Sequence, residues 1–433
     1  MKNILYLFLF GIICFFFSCH PDSKEEFYPT FRLIQTNKIH FNSFVDCNMA
    51  EAWIGDTLRI FPGKYGEDPL WGDAKDLKYS DGLNSMDVFS NEAKEFHQPK
   101  IPINVKPEED GLHGAVWFET MYQAPKDKSG KTLFGIYHNE IYPETFPYRT
   151  KTGKGYLKTK NWPRGITGPD SPAAVCRIGI MKSKDGGKSW ENKGIFIEDL
   201  NDRMTLKPHN VSQTFAGGVG DPSAVVSGDH LYLFYGEYAY PGIYQPATFD
   251  PFKEKAGQCI SVARIALKDL ENPQGKAKRW GGSSFNIPFD SIGKPIKSLQ
   301  IPKKEGGGPI SSKNGGYYWG PSVSWNEYLN CWVMLMAKSE GISWKGSRVY
   351  ISFNPNKNLA VGNNSQAWTK PRIFFEKPGY ILWYPSLQPL DDKESVQKKY
   401  TSLRLGKRAR FFVKRMRPID DSYASDFIIE FEK

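Results

Sequence analysis

Three features of the sequence predict an all-β chain folded as a five-bladed β-propeller, with four-stranded blades around a central funnel. Long helical patterns are scarce, and short runs rich in Val, Ile, Phe, Tyr and Trp are broken by Gly, Pro, Asn and Asp. The stretches GDPSAVVS (from Gly220), WGPSVSWN (from Trp319) and WYPSLQPL (from Trp383) each set Pro-Ser-aliphatic at the head of a strand. Each head is followed by a second strand, so one unit repeats along the chain. Radial repetition of small sheets is propeller architecture, and closing the ring leaves no terminal edge unpaired. A β-sandwich pair is the competing arrangement, and the repeated strand heads argue against it.

The N-terminus comes first in chain order. Lys2 and the apolar run ILYLFLFGIICFFF precede Ser18-Cys19 and the polar HPDSKEE. So short a run is expected to be a signal peptide rather than a membrane span. A small residue before a cysteine matches a bacterial lipoprotein cleavage site, although Phe17 departs from the usual pattern. An ordinary secretory signal with an incidental cysteine is the alternative. The expected division is therefore a lipoprotein signal peptide at 1–18, lipidation at Cys19, a lipid-anchored tether over 19–35 and a propeller catalytic domain over 36–433. That organisation implies an exported bacterial lipoprotein, held at the outer membrane, cell surface or periplasmic face through its N-terminal lipid anchor.

The five units follow. The first is SFVDCNMAEAWIGDTLRIFPG, from Ser43. The second holds LHGAVWFETMYQ (from Leu112), TLFGIYHNE (132–140), VCRIGIMKS (175–183) and WENKGIFIE (190–198). The third holds SAVVS, LYLFYGE (231–237), CISVARIAL (259–267) and a segment near Trp280. The fourth continues with CWVMLMAKS (331–339), SRVYISF (347–353) and WTKPRIFFE (368–376). The last has three clear strands, through ARFFVKR (409–415) and SDFIIEFE. FRLIQTNKIHF, near the N-terminus, is expected to supply its fourth and close the ring. SKDGGKSW (Ser183–Trp190) matches the Asp-box pattern S-x-D-x-G-x-x-W. There Asp185 caps the N–H groups of a turn and Trp190 packs beneath it, a structural role between the outer strands.

Beyond Cys14 and Cys19, the cysteines Cys47, Cys176, Cys259 and Cys331 lie far apart without a C-x-x-C pair. That spacing argues against a zinc site; an exported chain permits disulfides, in any of three pairings, but buried free thiols are the favoured reading, and no metal or cofactor is expected. The net charge is +10, with the basic excess concentrated in Lys398–Arg417. No nucleic-acid motif accompanies it, so a solvated basic face, or attraction to an acidic glycan, is the reading.

Propeller geometry selects the functional candidates. The first strand of each blade runs from one face to the other and the second returns. Heads of first strands and tails of second strands therefore share one mouth of the funnel. Heads contribute Asp46, His113, Asp221, Trp319, Ser322, Tyr384 and Ser386. Tails contribute His138, Glu140, Glu237, Lys338 and Arg415, and starts of third strands add Arg177 and Arg348. Asp46, Asp221, Glu140 and Glu237 are the catalytic candidates, because glycosidic cleavage needs one protonated and one ionised carboxyl. His113, His138, Arg177, Trp319, Ser322, Tyr384 and Arg348 are the substrate-binding candidates; aromatics stack on sugar faces and arginines bind carboxylated or sulfated substituents. His113 and His138 are also candidates to hold a central ion or water. Glu119, in VWFET, reads as a solvated or paired strand residue.

The blade count, the acid in blade one and the D-P-S step resemble the five-bladed propeller glycoside hydrolases of the arabinanase, xylosidase and invertase type. YHNE, RIGIMKSKDGGKSW, FAGGVGDPSAVV, YYWGPSVSWN and WYPSLQ look like a bacterial group of secreted propeller proteins, a similarity over roughly residues 110–390. The resemblance implies a base or nucleophile at Asp46, a second, pKa-tuning Asp at Asp221, and a glutamic acid as proton donor, here Glu140 or Glu237. It implies a glycoside hydrolase acting on a poly- or oligosaccharide. A non-catalytic glycan-binding propeller and a polysaccharide lyase are the alternatives. The insertions near 64–110, 141–172, 239–258 and 286–316 are expected to wall the funnel, with 141–172 as the substrate loop.

Overall fold

The computed structural model describes residues 27–41, 43–66, 74–75, 77–90, 96–103, 112, 114–141, 147–150, 153–156, 174–198, 215–238, 259–307, 316–340, 344–417 and 420–433. The expected signal peptide, Cys19, His113, the whole of segment 239–258 and most of segment 141–172 lie outside them. The described chain is nearly all β, with short helices only, α1 (Ser85–Phe89) and α2 (Lys393–Gln397) among them.

The strands fall into five successive groups. β1 (Thr30–Phe41) opens the chain. In the first group β2 (Glu51–Ile54) and β3 (Thr57–Ile60) form a hairpin. β4 (Lys64–Gly66) and β5 (Ala74–Lys75) cross to the next group, and β6 (Ser80–Gly82) returns to pair with β3. The second group orders β7 (Ala115–Gln123), β8 (Leu133–Ile141), β11 (Ala174–Ser183) and β12 (Glu191–Ile197). A small hairpin, β9 (Pro147–Thr150) with β10 (Gly153–Tyr156), sits in the β8–β11 connection. The third group orders β13 (Phe215–Ser227), β14 (His230–Glu237), β15 (Cys259–Ala266), β16 (Lys278–Trp280) and β17 (Phe285–Pro288).

The fourth orders β18 (Gly316–Asn326), β19 (Cys331–Glu340), β20 (Arg348–Asn354) and β21 (Arg372–Glu376). The fifth orders β22 (Ile381–Gln388), β24 (Arg408–Arg417), β25 (Asp420–Glu432) and then β1; the two-residue β23 (Arg404–Leu405) lies parallel to β18. FRLIQTNKIHF thus supplies the outer strand of the C-terminal sheet, pairing Phe31 with Phe431 and Phe41 with Tyr423. β1 begins at Thr30, so residues 30–35, assigned to a tether by the sequence, lie in this sheet: their partners on β25 satisfy backbone groups that a free tether would leave to water. The second and third groups are not separate sheets. The start of β13 pairs in parallel with β11 over Ala174–Cys176, which joins them.

Strand alternation gives each sheet two apolar faces, and these meet in five layers. Phe61 and Ala52 pack on Phe118 and Trp190 between the first and second groups. Ile136 and Ile180 meet Leu233 and Ile265 between the second and third, and Phe234 and Val262 meet Trp332 and Met334 between the third and fourth. Leu335 and Ile351 meet Phe411 and Ile429 between the fourth and fifth. The last layer joins Phe412 and Tyr423 of the fifth group to Leu58 and Ile60 of the first. The Asp box closes the β11–β12 turn as its sequence predicts. Asp185 accepts the N–H groups of Lys188 (3.0 Å) and Ser189 (2.9 Å), and the Trp190 ring lies 4.4 Å from that of Phe118. All four described cysteines are buried free thiols.

Candidate active site

The first strands converge through a repeated defect. The ladder slips between Gly220 and Ser223 in β13, between Trp319 and Ser322 in β18, and between Trp383 and Ser386 in β22. The residues before the three prolines leave the pleat with φ of 47° at Asp221, 57° at Gly320 and 48° at Tyr384. Glycine takes this left-handed conformation freely, whereas an L side chain costs about 1–2 kcal/mol there. Asp221 and Tyr384 are therefore held in strain by their surroundings, the pattern found at functional sites. β7 slips one residue at Glu119, which turns that carboxyl out of its ladder.

These bulges meet at Asn48, just ahead of β2. Its side-chain amide donates to the carbonyls of Pro222 and Pro321, both at 3.2 Å, and its backbone N–H donates to Glu119 Oε2 at 2.7 Å. Ala224 N–H donates to Thr120 Oγ1 at 3.2 Å and Val323 N–H to Ser223 Oγ at 3.0 Å, so neighbouring first strands are tied to one another.

Asp221, 3% exposed, is the centre of the resulting cluster. Its carboxylate accepts the hydroxyl of Tyr384 at 3.2 Å and that of Tyr238. Burial, and then the Asp221 charge, push both phenols well above the usual tyrosine range, so both remain donors. His138 Nδ1 lies 3.5 Å from Asp221 Oδ1, 3.4 Å from the Asp221 backbone N–H and 3.8 Å from Glu119 Oε1. The carboxylate contact requires a proton on Nδ1 and the N–H contact a lone pair, so protonation of His138 selects between them. Burial alone lowers this imidazole; the hydrogen bond and charge of Asp221, with Glu140 and Asp46, outweigh it and raise it above the ordinary histidine value.

Glu119 was not among the sequence candidates, and it is 2% exposed rather than solvated. Burial, then the charge of Asp221, push its carboxyl well above the usual range; the Asn48 N–H pulls the other way and Asp46 adds to the rise. Oε2 takes the Asn48 N–H, while Oε1 is buried with no hydrogen-bond partner among the described residues. The site thus holds a carboxyl disposed to keep its proton beside one hydrogen-bonded by two tyrosines.

Asp46 lies at the open side, its side chain 29% exposed, with Oδ1 accepting Lys414 Nζ at 3.0 Å. Its charge is felt at Glu119, His138 and Tyr384. Glu140, half-buried on β8, sits beside His138 and Cys176, with one donor atom from each within 4.8 Å of the others. Glu119, His138 and Asp221 satisfy the same spacing, and two carboxylates with an imidazole are a donor set that suits a divalent cation.

Other sequence candidates lie elsewhere. Glu237 is fully buried in an ion pair with Arg279 and accepts the Gly293 N–H at 3.3 Å. Being at a strand tail fixed its end of the sheet but not its face; alternation along β14 puts it with Leu233 and Tyr235, between packed sheets. Arg348 is directly opposite Glu376 and pairs with it at 2.7 Å on the surface. Arg177 is engaged by Asn139 at 3.0 and 3.1 Å and lies 3.8 Å from Glu198. Trp319 is packed edge-on against Trp344, Trp383 and Tyr384 rather than offered as an open platform. Ser322 is buried in β18 just past its bulge, and Ser386 accepts Tyr423 Oη at 3.1 Å. Lys338 lies 3.6 Å from Glu340, and Arg415 pairs with Asp426. The basic run near the C-terminus is largely neutralised in the same way, through Lys398 and Arg404 on Glu327 and Lys407 on Glu430.

No protein-family model matches the chain, and no curated protein matches it. Among solved structures it is similar to a β-1,3-galactosidase of glycoside hydrolase family 43, at 11% identity and a TM-score of 0.43 over 92% of this chain. The chain spans 60% of that protein's length. It is also similar to a putative exo-β-1,3-galactanase from Bifidobacterium bifidum (10% identity, TM-score 0.45, 92% of this chain and 94% of that one). A third is an α-L-arabinofuranosidase from Lactobacillus brevis (10% identity, TM-score 0.44, 90% of this chain and 92% of that one).

Proposed function

We propose that the chain is a glycoside hydrolase built on a closed five-bladed propeller, with Glu119, Asp221 and Asp46 as its working carboxyls. The observation that carries the reading is the Glu119–Asp221 pair: carboxyls with an oxygen of each within 4.8 Å of the other, one of them disposed to stay protonated. Such a division is what glycosidic cleavage requires. Glu119 delivers the Oε1 proton to the leaving oxygen. Asp221, fixed by Tyr238 and Tyr384, keeps the Glu119 pKa high. Asp46, the most exposed of the three, takes the proton of the water that attacks the anomeric carbon, and Lys414 orients it. The substrate approaches past Asp46, Glu140 and Trp383, the partly exposed members of the site. Five apolar layers, the last joining the fifth group to the first, support ring closure.

Exposure of the purified chain to neutral and acidic glycans tests this. Reducing sugar from one glycan, abolished by Asp221→Asn with the fold intact, is the expected result. An ultraviolet-absorbing unsaturated product would replace the reading by a lyase, and silence across the panel by a glycan-binding propeller. Export is part of the same proposal: residues 1–18 as a lipoprotein signal and Cys19 as the acylated N-terminus at the outer membrane or cell surface. Radiolabelled palmitate incorporation into wild type but not Cys19→Ala is the expected outcome; equal labelling refutes it.

A further inference from the structure

At the opposite ends of the first strands lies a cavity of about 810 Å³ to which four strand groups and the β22–β24 connection contribute. Trp53 comes from the first, Met121 from the second, Val226 from the third and Trp325 from the fourth, with Arg404 on β23 in the connection between β22 and β24. Glu51, at the start of β2 three residues beyond Asn48, lines this space, whereas Asn48, Glu119, His138 and Asp221 do not. The volume is that of a small-molecule site, and the wall has the composition of one: mostly apolar and aromatic, with a few polar groups.

The charges around it are uneven. Lys399 pairs with Asp56 and Arg404 with Glu327, while Asp127 is turned onto Ser129 and Thr132 of its own loop. Lys357 and Lys128 make no ion pair among the described residues; Lys128 stands out, exposed, on the Asp127–Gly130 turn, whereas Lys357 is held against the wall. Its carbonyl is held by Trp332 Nε1 at 3.3 Å and Ser227 Oγ at 3.4 Å, and its ammonium stands 5.8 Å over the Trp325 ring. Val226, also on this wall, is 38% exposed. An anchored, unpaired ammonium beside an aromatic and aliphatic wall complements a ligand with the converse shape.

We infer that this cavity binds an amphipathic organic anion, a flat apolar body carrying one carboxylate or sulfonate, with Lys357 taking the anionic group and Trp325 and Val226 the body. The site is separate from the acid cluster and stands whether or not that cluster hydrolyses glycans. The burial that raises the Glu51 carboxyl to about 7 keeps a second negative charge out of the cavity in mildly acidic solution.

The test is fluorescence titration of the purified chain with 1-anilinonaphthalene-8-sulfonate, and with the uncharged N-phenyl-1-naphthylamine as control. Saturable binding of one sulfonate probe per chain is expected. Lys357→Glu, at an exposed position, should weaken the sulfonate about tenfold and leave the uncharged probe within about twofold. Val226→Asp should weaken both. The inference is overturned by absence of saturable one-to-one binding, by equal affinity of Lys357→Glu and wild type for the sulfonate, or by displacement of the probe by neutral oligosaccharides at lower concentration than by decanoate.

Discussion

Raising the pH from about 5 to about 8 destabilises the fold through Glu51, and replacing this residue by glutamine removes that loss. Glu51 is 3% exposed, and one carboxyl oxygen accepts the Ser402 N–H. Burial raises its pKa from 4.5 to about 7, the Ser402 hydrogen bonds opposing the rise. The folded chain therefore binds this proton more tightly than the unfolded chain. Its contribution is complete below about 4.5 and is lost as the pH rises through about 7. At about 1.4 kcal/mol per unit, the rise corresponds to roughly 3 kcal/mol. Glu51→Gln keeps an oxygen for Ser402 and has no charge to desolvate. Urea unfolding followed by tryptophan fluorescence, at several pH values for both proteins, is the assay. Wild type should lose about 2.5 kcal/mol more than Glu51→Gln between about pH 5 and about pH 8, the part of the full shift that falls inside that window. Other groups, Glu119 and His138 included, titrate in both proteins, so the difference isolates residue 51. Parallel stability curves would refute the reasoning.

Three further outcomes follow from the geometry. Asn48→Ala removes both side-chain bonds that join the bulges of β13 and β18 and should cost about 2–3 kcal/mol in urea unfolding, whereas a surface position would cost under about 0.5. Asp185→Ala leaves two turn N–H groups without an acceptor and should cost about 1–2 kcal/mol, with local loss of hydrogen-exchange protection at Lys188 and Ser189. Cys47, Cys176, Cys259 and Cys331 should resist a thiol-reactive disulfide reagent in the native chain and react on unfolding, because burial holds each thiol above its usual pKa.

Much of the architecture was legible because the unit repeats. The Pro-Ser heads, the Asp box and the N-terminal strand of the C-terminal sheet all lie where their sequences put them. The strand-head rule also found Asp221 and Tyr384, whose bulges aim them at one another across 163 residues of chain. The same rule fixes which end of a sheet a residue occupies, not which face, so Glu237 and Arg348 were gathered with the acids although period-two alternation turns them to other partners. Glu119 was missed for the opposite reason. VWFETMYQ reads as an uninterrupted strand, and nothing in it but the acid itself signals the one-residue slip that frees its carboxyl. Asn48 stands in the irregular FVDCNMA, where no periodicity says that its amide will join two prolines 99 residues apart.

The most direct test of the account concerns the proton that Glu119 is proposed to deliver. Turnover of Glu119→Gln is compared with wild type on the glycan the panel identifies and on the matching dinitrophenyl glycoside, whose leaving group needs no proton. The account predicts a loss of about 10²-fold or more on the natural linkage and a much smaller loss on the aryl glycoside, with an unchanged unfolding midpoint. Equal losses on both substrates, or wild-type turnover of the natural linkage, would contradict it.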